Sequence, residues 1–422
     1  MASMNTTDNF TAQMAEVSAR ARTAAKILAR TTAQVRNHAL HAAAEALRAA
    51  EPEILAANAR DLAGFSGSPA FADRLMLNQA RVAAMATGLE EVAALPDPLA
   101  RTLARWSRPN GLEICRIAQP IGVLGMIYES RPNVGADAAA IALKSGNAIL
   151  LRGGSESFFS GQAIHTAMVR GLRAAALPEA CVQVAPSAER GFVGAMLAAA
   201  GGLDLMIPRG GKALVERVQR EARMPVLAHA QGLNHTYVHA AADFSMARAV
   251  LANAKMRRTG VCGATETLLL DAAIAADLLP LLAADLHALG CTLLLDPAAQ
   301  KILPELTAAK PEDFDTEWLD AVLNVAIVQD VAGALAHIAT HGSEHTDAII
   351  TQDVAVAEVF LAQVGSAVSL WNASTQFCDG GEFGFGAEIG IATGRVQARG
   401  PVGPEQLTTF RYVVRGNGQV RP

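Results

Sequence analysis

Cys262 stands in the segment RRTGVCG, residues 257–263, where two arginines precede it and a glycine lies close on either side. A cysteine attacks as its thiolate, and nearby guanidinium charge favours the thiolate over the thiol. Glycines let the backbone approach a ligand without side-chain interference. The segment therefore predicts a sulfur nucleophile in a tight loop, although an isolated cysteine more often packs as a small buried hydrophobe.

Two arginine–glycine–glycine sequences follow expected strands. They comprise Arg152, Gly153 and Gly154 in NAILLRGGSES, and Arg209, Gly210, Gly211 and Lys212 in LDLMIPRGGKALVERV. Backbone N–H groups at a helix N-terminus bind anions, and ligands of open α/β sheets lie at the carboxyl ends of strands. Arginine and lysine also suit a phosphate, including the 2′-phosphate of NADP. These loops predict a nucleotide site, with ordinary glycine turns as the alternative.

Asn133 follows a proline at the end of a buried strand and precedes a helix. Its amide can donate a hydrogen bond to a developing oxyanion, or it can cap the helix. Arg131 and Lys144 can meet an anionic substrate, with solvation at the surface as the alternative. His345 precedes another expected strand and is either a site residue or a structural one. The glycine-rich segment 373–401 is long for a loop and predicts the wall of a pocket.

Composition limits the class of protein. The length of 422 residues predicts two or three domains. The composition, 51% hydrophobic and only 5% aromatic, predicts helices packed on parallel sheets. The net charge of −5 excludes a basic nucleic-acid footprint. Five scattered cysteines without a CxxC pair argue against a disulfide framework or a metal site. The N-terminus lacks signal-peptide features and no apolar run is long enough for a membrane span, so we expect a cytoplasmic enzyme.

Periodicity predicts helices over residues 11–104 and a buried parallel strand at 121–128. The apolar stripe of the first helices comprises Ile27, Leu28, Val35, Leu40 and Leu47. Further strands are predicted at 148–151, 181–185, 203–207, 225–227, 265–270, 292–295, 323–328, 348–351 and 367–370. Helices between most of these strands indicate two doubly wound α/β halves. Strands near 112–118 and 407–414 are predicted to form a small flap that pairs with another subunit.

Four motifs carry a resemblance to a known family: YESRPNVGADAAAIALKSGNAILLRGGSES, IPRGGKALV, RRTGVCGATETLLL and NASTQFCDGGEFGFGAEIGIATGRVQARGPVGPEQLTTFRYVVRGNGQ. They resemble the γ-glutamyl phosphate reductase family of the aldehyde dehydrogenase superfamily, and the resemblance runs from about residue 11 to the end. It implies an α/β protein with two doubly wound domains and a small β oligomerisation flap. The implied segments are 1–104 and 120–232 for NADPH binding, 233–402 for catalysis, and 105–119 and 403–422 for the flap.

The resemblance also implies an activity. The family reduces L-glutamate 5-phosphate to L-glutamate 5-semialdehyde with NADPH and releases phosphate, in the second step of proline biosynthesis from glutamate. The enzyme is then an NADP-dependent, phosphorylating glutamate-5-semialdehyde dehydrogenase that works through a cysteine thioester. A homo-oligomer is expected, and channelling of the substrate from glutamate 5-kinase is left open.

Residue roles carried over from the family are as follows. Cys262 matches the nucleophile, and Asn133 matches the amide that holds the oxyanion together with the backbone N–H of the cysteine. Arg152 matches a residue that contacts the adenosine ribose. Residues 208–211, which begin with Pro208, match a turn near the cofactor phosphates. Glu317 matches a residue that contacts the nicotinamide ribose. Candidates for the substrate's phosphate and α-carboxylate are left without individual roles: Arg131, Lys144, Arg257, Arg258 and His345.

Two other functions compete with this hypothesis. The first is NAD(P)-dependent oxidation of a small semialdehyde by another member of the superfamily. Hydrolytic members carry a glutamate in the segment that leads out of the first domain, and here Ala228 or a neighbour in VLAHAQGLNHTYV fills that place. A water-activating carboxylate would waste a thioester intermediate, so its absence favours the reductase. The second competitor is a catalytically silent scaffold that binds a nucleotide or a partner enzyme, which would not need Cys262.

Overall fold

The computed structural model describes residues 6–229 and 231–421, without the side chains of residues 6–8, 69 and 70. Its alanine-rich N-terminal sequence forms five helices. These are α1 (Thr6–Leu28), α2 (Ala33–Ala49), α3 (Glu51–Ala63), α4 (Pro69–Leu75) and α5 (Gln79–Ala94). Leu28, Leu40 and Leu47 of the predicted stripe are fully buried, whereas Ile27 is 47% exposed because it lies a step around the helix from Leu28. The predicted segments also include residues 1–5, 230 and 422, which lie outside the described residues. The prediction that the N-terminus lacks signal-peptide features falls partly on residues 1–5 as well.

The helical prediction to residue 104 is wrong at its end, because β1 (Thr102–Ser107) begins there. It pairs antiparallel with β2 (Glu113–Pro120), which in turn pairs with the last strand of the chain, Thr408–Arg415. The predicted strands at 112–118 and 407–414 are thus found, and a third strand joins them. Alternation in the sequence TLARWS is weak because both faces of β1 are largely exposed, with Leu103 and Trp106 each more than one-third accessible.

A four-stranded parallel sheet follows, formed by β3 (Val123–Tyr128), β4 (Ala148–Arg152), β5 (Val182–Val184) and β6 (Leu205–Arg209) in the order β5-β4-β3-β6. Its helices are α6 (Asn133–Lys144), α7 (Phe158–Ala174), α8 (Arg190–Ala198) and α9 (Lys212–Glu221), with 3₁₀ turns at 155–157 and 179–181. All six residues of β3 are buried, as the apolar run predicts for a central parallel strand. The strand predicted at 225–227 forms only a single bridge, from Val226 to Met206.

A seven-stranded sheet occupies the second half of the chain. Its elements are β7 (Asn234–Val238), α10 (Phe244–Met256), β8 (Thr265–Asp271), α11 (Ala272–Ala288), β9 (Thr292–Leu295), α12 (Pro297–Gln300), β10 (Thr307–Ala308), a 3₁₀ turn at 311–315, β11 (Val322–Val328), α13 (Val331–His341), β12 (Thr346–Ile350), α14 (Val354–Gln363) and β13 (Val368–Trp371). The order is β10-β9-β11-β8-β7-β12-β13, and every pairing is parallel. The alternating prediction of strands and helices is confirmed here, and β7 and β10 are additions.

Beyond β13 the glycine-rich segment is mostly irregular. It contains a 3₁₀ turn at 375–377 and two short strands, β14 (Ile391–Ala392) and β15 (Gly400–Pro401), which pair with each other before β16 (Thr408–Arg415). The chain divides into a first unit of residues 1–228, 384–390 and 402–422, and a second unit of 229–383 and 391–401. Among the described helices, none combines the length and apolar character needed to span a bilayer.

Candidate active site

Cys262 lies in the loop that joins α10 to β8, and its side chain is half-buried. The other four cysteines are buried. Burial raises the pKa of the Cys181 thiol to about 12 and that of the Cys291 thiol to about 11, so both remain protonated and inert at neutral pH. Cys262 is therefore the cysteine whose accessibility suits a nucleophile.

Asn234, the first residue of β7, fixes the backbone of the Cys262 loop. Its buried side-chain amide donates to the backbone oxygen of Cys262 at 2.6 Å and to that of Ala264 at 2.9 Å. Its side-chain oxygen accepts from the backbone N–H of Thr346 at 3.2 Å. One side chain thus ties the first residues of β7 and β12 to the loop that precedes β8. Asn234 was not predicted from the sequence, because a polar residue at the start of a strand has no distinguishing local pattern.

Gly232 brings a second backbone segment against the nucleophile. A β-carbon at this position would lie 2.1 Å from the backbone oxygen of Cys262, so only glycine fits. The N–H of Gly232 donates to Oε1 of Glu317 at 2.8 Å. Burial raises the pKa of the Glu317 carboxyl above its usual range, while the bond from Gly232 acts in the opposite direction. Glu317, predicted to contact the cofactor, thus binds the segment that packs on Cys262.

Two histidines lie beside the sulfur. Sγ of Cys262 and one ring nitrogen each of His229 and His345 all lie within 4.8 Å of one another. The two rings meet edge to face with centroids 5.1 Å apart. His345 was a predicted site residue, and the structure places it here. His229 was not predicted, because it lies 33 residues before Cys262 and no local motif marks it. The sequence showed no metal-ligating cluster since these three residues are far apart in the chain.

The surroundings of the histidines determine their chemical state. Nδ1 of His229 lies 2.7 Å from the backbone oxygen of Ile391. A carbonyl can only accept, so Nδ1 carries the proton and, in the neutral ring, Nε2 carries the lone pair. His345 is fully buried, and its Nδ1 lies 2.9 Å from the hydroxyl of Thr346. Burial, with a smaller effect of His229, lowers the pKa of His345 to about 3, so the ring is neutral in ordinary buffers.

Arg257 and Arg258 are exposed where α10 ends and the Cys262 loop begins. Arg257 donates to the side-chain oxygen of Gln376 at 3.3 Å. The amide nitrogen of Gln376 donates to the backbone oxygens of Ala254 at 3.0 Å and Arg258 at 3.3 Å. Gln376 belongs to the glycine-rich segment that the sequence predicted to form a pocket wall, and it anchors that segment to the nucleophile loop.

In the first unit, the carboxyl end of β4 carries the first arginine–glycine–glycine sequence. The Arg152 guanidinium donates to the backbone oxygens of Gly153 at 2.9 Å and Ala188 at 2.7 Å, while its Nε is buried and has no partner among the described residues. Burial lowers the pKa of Arg152, against the opposing effect of the nearby Glu156 carboxylate. A β-carbon on Gly153 would lie 3.1 Å from the Tyr128 ring, so the backbone lies directly on that ring. The carboxyl end of β4 thus places the Arg152 guanidinium next to glycine backbone, which carries no side chain of its own.

The second arginine–glycine–glycine sequence lies at the carboxyl end of β6, next to β3, with Pro208 inside the strand. The N–H of Gly211, at the start of α9, donates to Oε1 of Glu129 at 2.8 Å. A β-carbon on Gly210 would lie 2.6 Å from the same carboxylate. An acidic side chain therefore occupies the N-terminus of the helix at which the sequence predicted a phosphate.

Asn133 is the first residue of α6, and Pro132 is at the cap position. Its amide nitrogen donates to Oδ2 of Asp137 at 3.2 Å, so it does not cap the helix through its side chain. Burial raises the pKa of Asp137 to about 6, and the bond from Asn133 opposes that shift. Arg131 is exposed just before the helix.

Lys144 requires a correction. It was predicted to face either an anionic substrate or solvent, but its side chain is buried between helices and is only 1% exposed. Its ammonium donates to the side-chain oxygen of Asn37 at 2.9 Å and to the backbone oxygen of Ala93 at 2.7 Å. Lys144 therefore joins α6 to α2 and α5, and we assign it no part in substrate binding.

Comparison with known proteins shows close relatives. A model described as "Aldehyde dehydrogenase family" matches residues 3–302. The chain is 66% identical over 403 residues to the γ-glutamyl phosphate reductase of Acidiphilium cryptum (strain JF-5), covering 96% of each. It is similar to the crystal structure of the γ-glutamyl phosphate reductase of Thermotoga maritima, with a TM-score of 0.94, 38% identity and coverage of 97% of this chain and 100% of that one. An engineered glycolyl-CoA reductase with bound NADP⁺ shares the fold at 16% identity, with a TM-score of 0.66 and coverage of 95% and 96%.

Proposed function

Because the chain belongs to the γ-glutamyl phosphate reductase family, within the aldehyde dehydrogenases, we propose that it reduces L-glutamate 5-phosphate to L-glutamate 5-semialdehyde with release of phosphate. This is the second step of proline biosynthesis from glutamate. The observation that carries the proposal is the arrangement at Cys262, a half-buried sulfur beside two histidines in a loop fixed by Asn234.

Cys262 performs the covalent chemistry. Its thiolate attacks the γ-carbonyl carbon of the acyl phosphate, the C–O bond to phosphate breaks, and a thioester remains on the sulfur. The backbone N–H of Cys262 donates to the oxyanion that develops during attack, and Asn133 is proposed as the second donor. Collapse of the reduced adduct releases the aldehyde and returns the thiolate. Arg131, Arg257 and Arg258 are the proposed cations for the departing phosphate and the α-carboxylate.

The reductant is NADPH, which supplies a hydride to the thioester carbon when bound. The carboxyl ends of the strands in the first unit are suited to bind the nucleotide part of this cofactor. Arg152 offers a guanidinium with a buried, unpartnered Nε beside the bare backbone of Gly153 and Gly154, and this supports a contact to the adenosine ribose or its phosphate. Residues 208–212 are proposed to lie near the cofactor phosphates, where the Glu129 carboxylate would have to give up the N–H of Gly211. Glu317 is proposed to bind the nicotinamide ribose.

Oxidation of an aldehyde through hydrolysis of the thioester is less well supported. That reaction needs a carboxylate that activates water, and the segment from Leu227 to Asn234 contains no acidic residue. This segment brings His229 to the sulfur instead. The thioester is therefore expected to persist until it is reduced.

The reaction run backwards tests the proposal. Glutamate 5-semialdehyde, in equilibrium with pyrroline-5-carboxylate, should reduce NADP⁺ only when inorganic phosphate is present, because phosphate must cleave the thioester. The rate should rise with phosphate and saturate. An equal rate without phosphate would show that water cleaves the thioester and would refute the reductase assignment. A strong preference for NAD⁺ over NADP⁺ would refute the cofactor assignment alone.

A further inference from the structure

Three potential metal ligands converge at the amino ends of three adjacent strands. Cys262 precedes β8, His229 precedes β7 and His345 immediately precedes β12, and the sheet order places β7 between β8 and β12. Their ligand atoms lie within 4.8 Å of one another. Neighbouring strands therefore supply one thiol and two imidazoles to a single point from a rigid scaffold.

His345 gives independent support for a ligand at this point. The residue is fully buried, and its Nε2 has no hydrogen-bond partner among the described residues. A buried polar atom without a partner costs free energy, and such an atom in a native structure needs an explanation. A bound cation would satisfy this nitrogen, because neutral imidazole coordinates through its lone pair.

His229 is oriented in the same sense. Its Nδ1–H donates to the backbone oxygen of Ile391, which leaves the lone pair on Nε2. A bond from the second ring nitrogen to a backbone carbonyl is the usual support of a metal-binding histidine, since it fixes both the tautomer and the ring orientation. Among the described cysteines, Cys262 is the one that is half-buried and not buried.

We propose that Cys262, His229 and His345 form a binding site for a thiophilic divalent cation, with Zn²⁺ as the best fit, and that its occupation reversibly inhibits the enzyme. One thiolate and two imidazoles with an open fourth position for water suit Zn²⁺. With bond lengths of about 2.3 Å to sulfur and 2.0–2.1 Å to nitrogen, the ligand atoms of a tetrahedral zinc lie roughly 3.5 Å apart. Because the ligand atoms lie within 4.8 Å of one another, the cluster would have to contract by at most about 1.3 Å.

The inhibition follows from the use of the same sulfur. When the ion binds, the Cys262 thiol releases its proton to solvent and the sulfur lone pair forms the metal bond, so it no longer attacks a carbonyl carbon. No electron transfer is needed, and removal of the ion by a chelator restores the thiol. This consequence rests on the proposed function, in which Cys262 is the nucleophile, whereas the binding site itself does not.

Binding is measured with Co²⁺, whose thiolate charge-transfer and visible bands report sulfur ligation and tetrahedral geometry without any turnover. The full-length enzyme, reduced and free of metal, should bind one Co²⁺ with both sets of bands, and Zn²⁺ should displace it. Cys262→Ser should remove the charge-transfer band. His345→Gln and His229→Gln should each weaken Co²⁺ binding at least tenfold. Circular dichroism confirms that each variant is folded.

Matched controls separate this site from adventitious binding. His287→Gln removes an exposed histidine of the same unit, and Cys291→Ser removes a buried thiol; neither should change the cobalt spectrum. An absent charge-transfer band in the wild type, or a band that both histidine variants leave unchanged, would overturn the proposal. Zn²⁺ should also inhibit the wild type, with full recovery in EDTA, and inhibition that EDTA cannot reverse would overturn reversible ligation.

The two proposals fail in different ways. If the cobalt spectrum behaves as expected but the metal-free enzyme shows no phosphate-dependent reaction, the reductase assignment fails and the metal site stands. If the metal-free enzyme carries out that reaction but no cobalt–thiolate band appears, the metal site fails alone.

Discussion

The side-chain amide of Asn234 donates to the backbone oxygen of Cys262 over 2.6 Å. The bond acts on the main chain of the nucleophile and not on its side chain. The same amide also binds Ala264, so it spans the turn that carries Cys262 into β8. The position of the reactive atom is therefore set by a buried polar residue from the neighbouring strand.

Asn234→Ala should loosen this turn. Its three hydrogen bonds, at about 1 kcal/mol each, predict a loss of about 2–4 kcal/mol in the free energy of unfolding, measured with urea. The rate of Cys262 alkylation by iodoacetamide should also change, since the sulfur is no longer held in place. Asn324→Ala is the matched control: Asn324 is equally buried but binds Asp313, and its loss should leave the alkylation rate unaltered. Equal alkylation rates in both variants would contradict the positioning role.

Cys262→Ser should abolish turnover, because a serine hydroxyl lacks the nucleophilicity of a thiolate. NADPH binding, measured by fluorescence titration, should remain close to that of the wild type. Cys291→Ser serves as the control and should retain activity, since Cys291 is buried in the sheet core. Turnover near the wild-type rate in Cys262→Ser would exclude Cys262 as the nucleophile.

Asn133→Ala should lower kcat by roughly 10²–10³, the usual effect of removing one oxyanion donor. Stability should fall by only about 1 kcal/mol, because the side chain makes a single hydrogen bond, to Asp137, and does not cap α6. Steady-state kinetics and thermal unfolding distinguish the two roles. A variant that loses stability but keeps its kcat would assign Asn133 a purely structural function.

Asp137→Asn should change how stability depends on pH. Burial raises the pKa of Asp137 to about 6, so the folded state binds this proton more tightly than the unfolded state does. Its favourable contribution is fully present below about pH 3.8, decreases as the pH rises, and is lost above about pH 6. The wild type should therefore lose up to about 3 kcal/mol relative to the variant across this window. Parallel curves of unfolding free energy against pH for the two proteins would show that Asp137 does not titrate in this way.

Lys144→Met should weaken the packing of α6 against its neighbours without affecting the substrate. The side-chain oxygen of Asn37 and the backbone oxygen of Ala93 would lose their donor, at about 1–3 kcal/mol. The KM for glutamate 5-phosphate should stay within about twofold of the wild type, since that methionine removes no substrate contact. A large rise in KM with unchanged stability would restore Lys144 as a substrate ligand.

The sequence was sufficient for most of the parallel sheets, because buried central strands such as β3 are continuous apolar runs. It failed at β7, where Asn234, His235 and Thr236 are buried polar residues whose hydrogen bonds come from distant segments. It also failed at β1, where neither face is well buried. Both segments form strands because they pair with other strands, and a local sequence pattern does not predict such pairing.

The site was predictable in part for a related reason. Cys262 and the two arginine–glycine–glycine loops lie in distinctive local sequences, whereas Asn234 and His229 acquire their roles only through the order of the strands. The usual expectation for open α/β sheets directs attention to residues that follow strands. In the second unit the nucleophile, both histidines and Gly232 all precede strands. Residues that immediately precede parallel strands are therefore also candidates for site residues.

The carboxyl ends of the strands in the seven-stranded sheet lie opposite the Cys262 site and are occupied by helix caps. At or just beyond the carboxyl ends of five of these strands, an aspartate caps the following helix by accepting from backbone N–H groups: Asp243, Asp271, Asp296, Asp330 and Asp353. Those turns are closed by their own hydrogen bonds and carry none of the residues around Cys262. Asp243 and Asp330 are exposed, so the chain at these two turns can be lengthened, or can accept a tag or a further domain, while reactivity at the amino ends of the strands is left undisturbed.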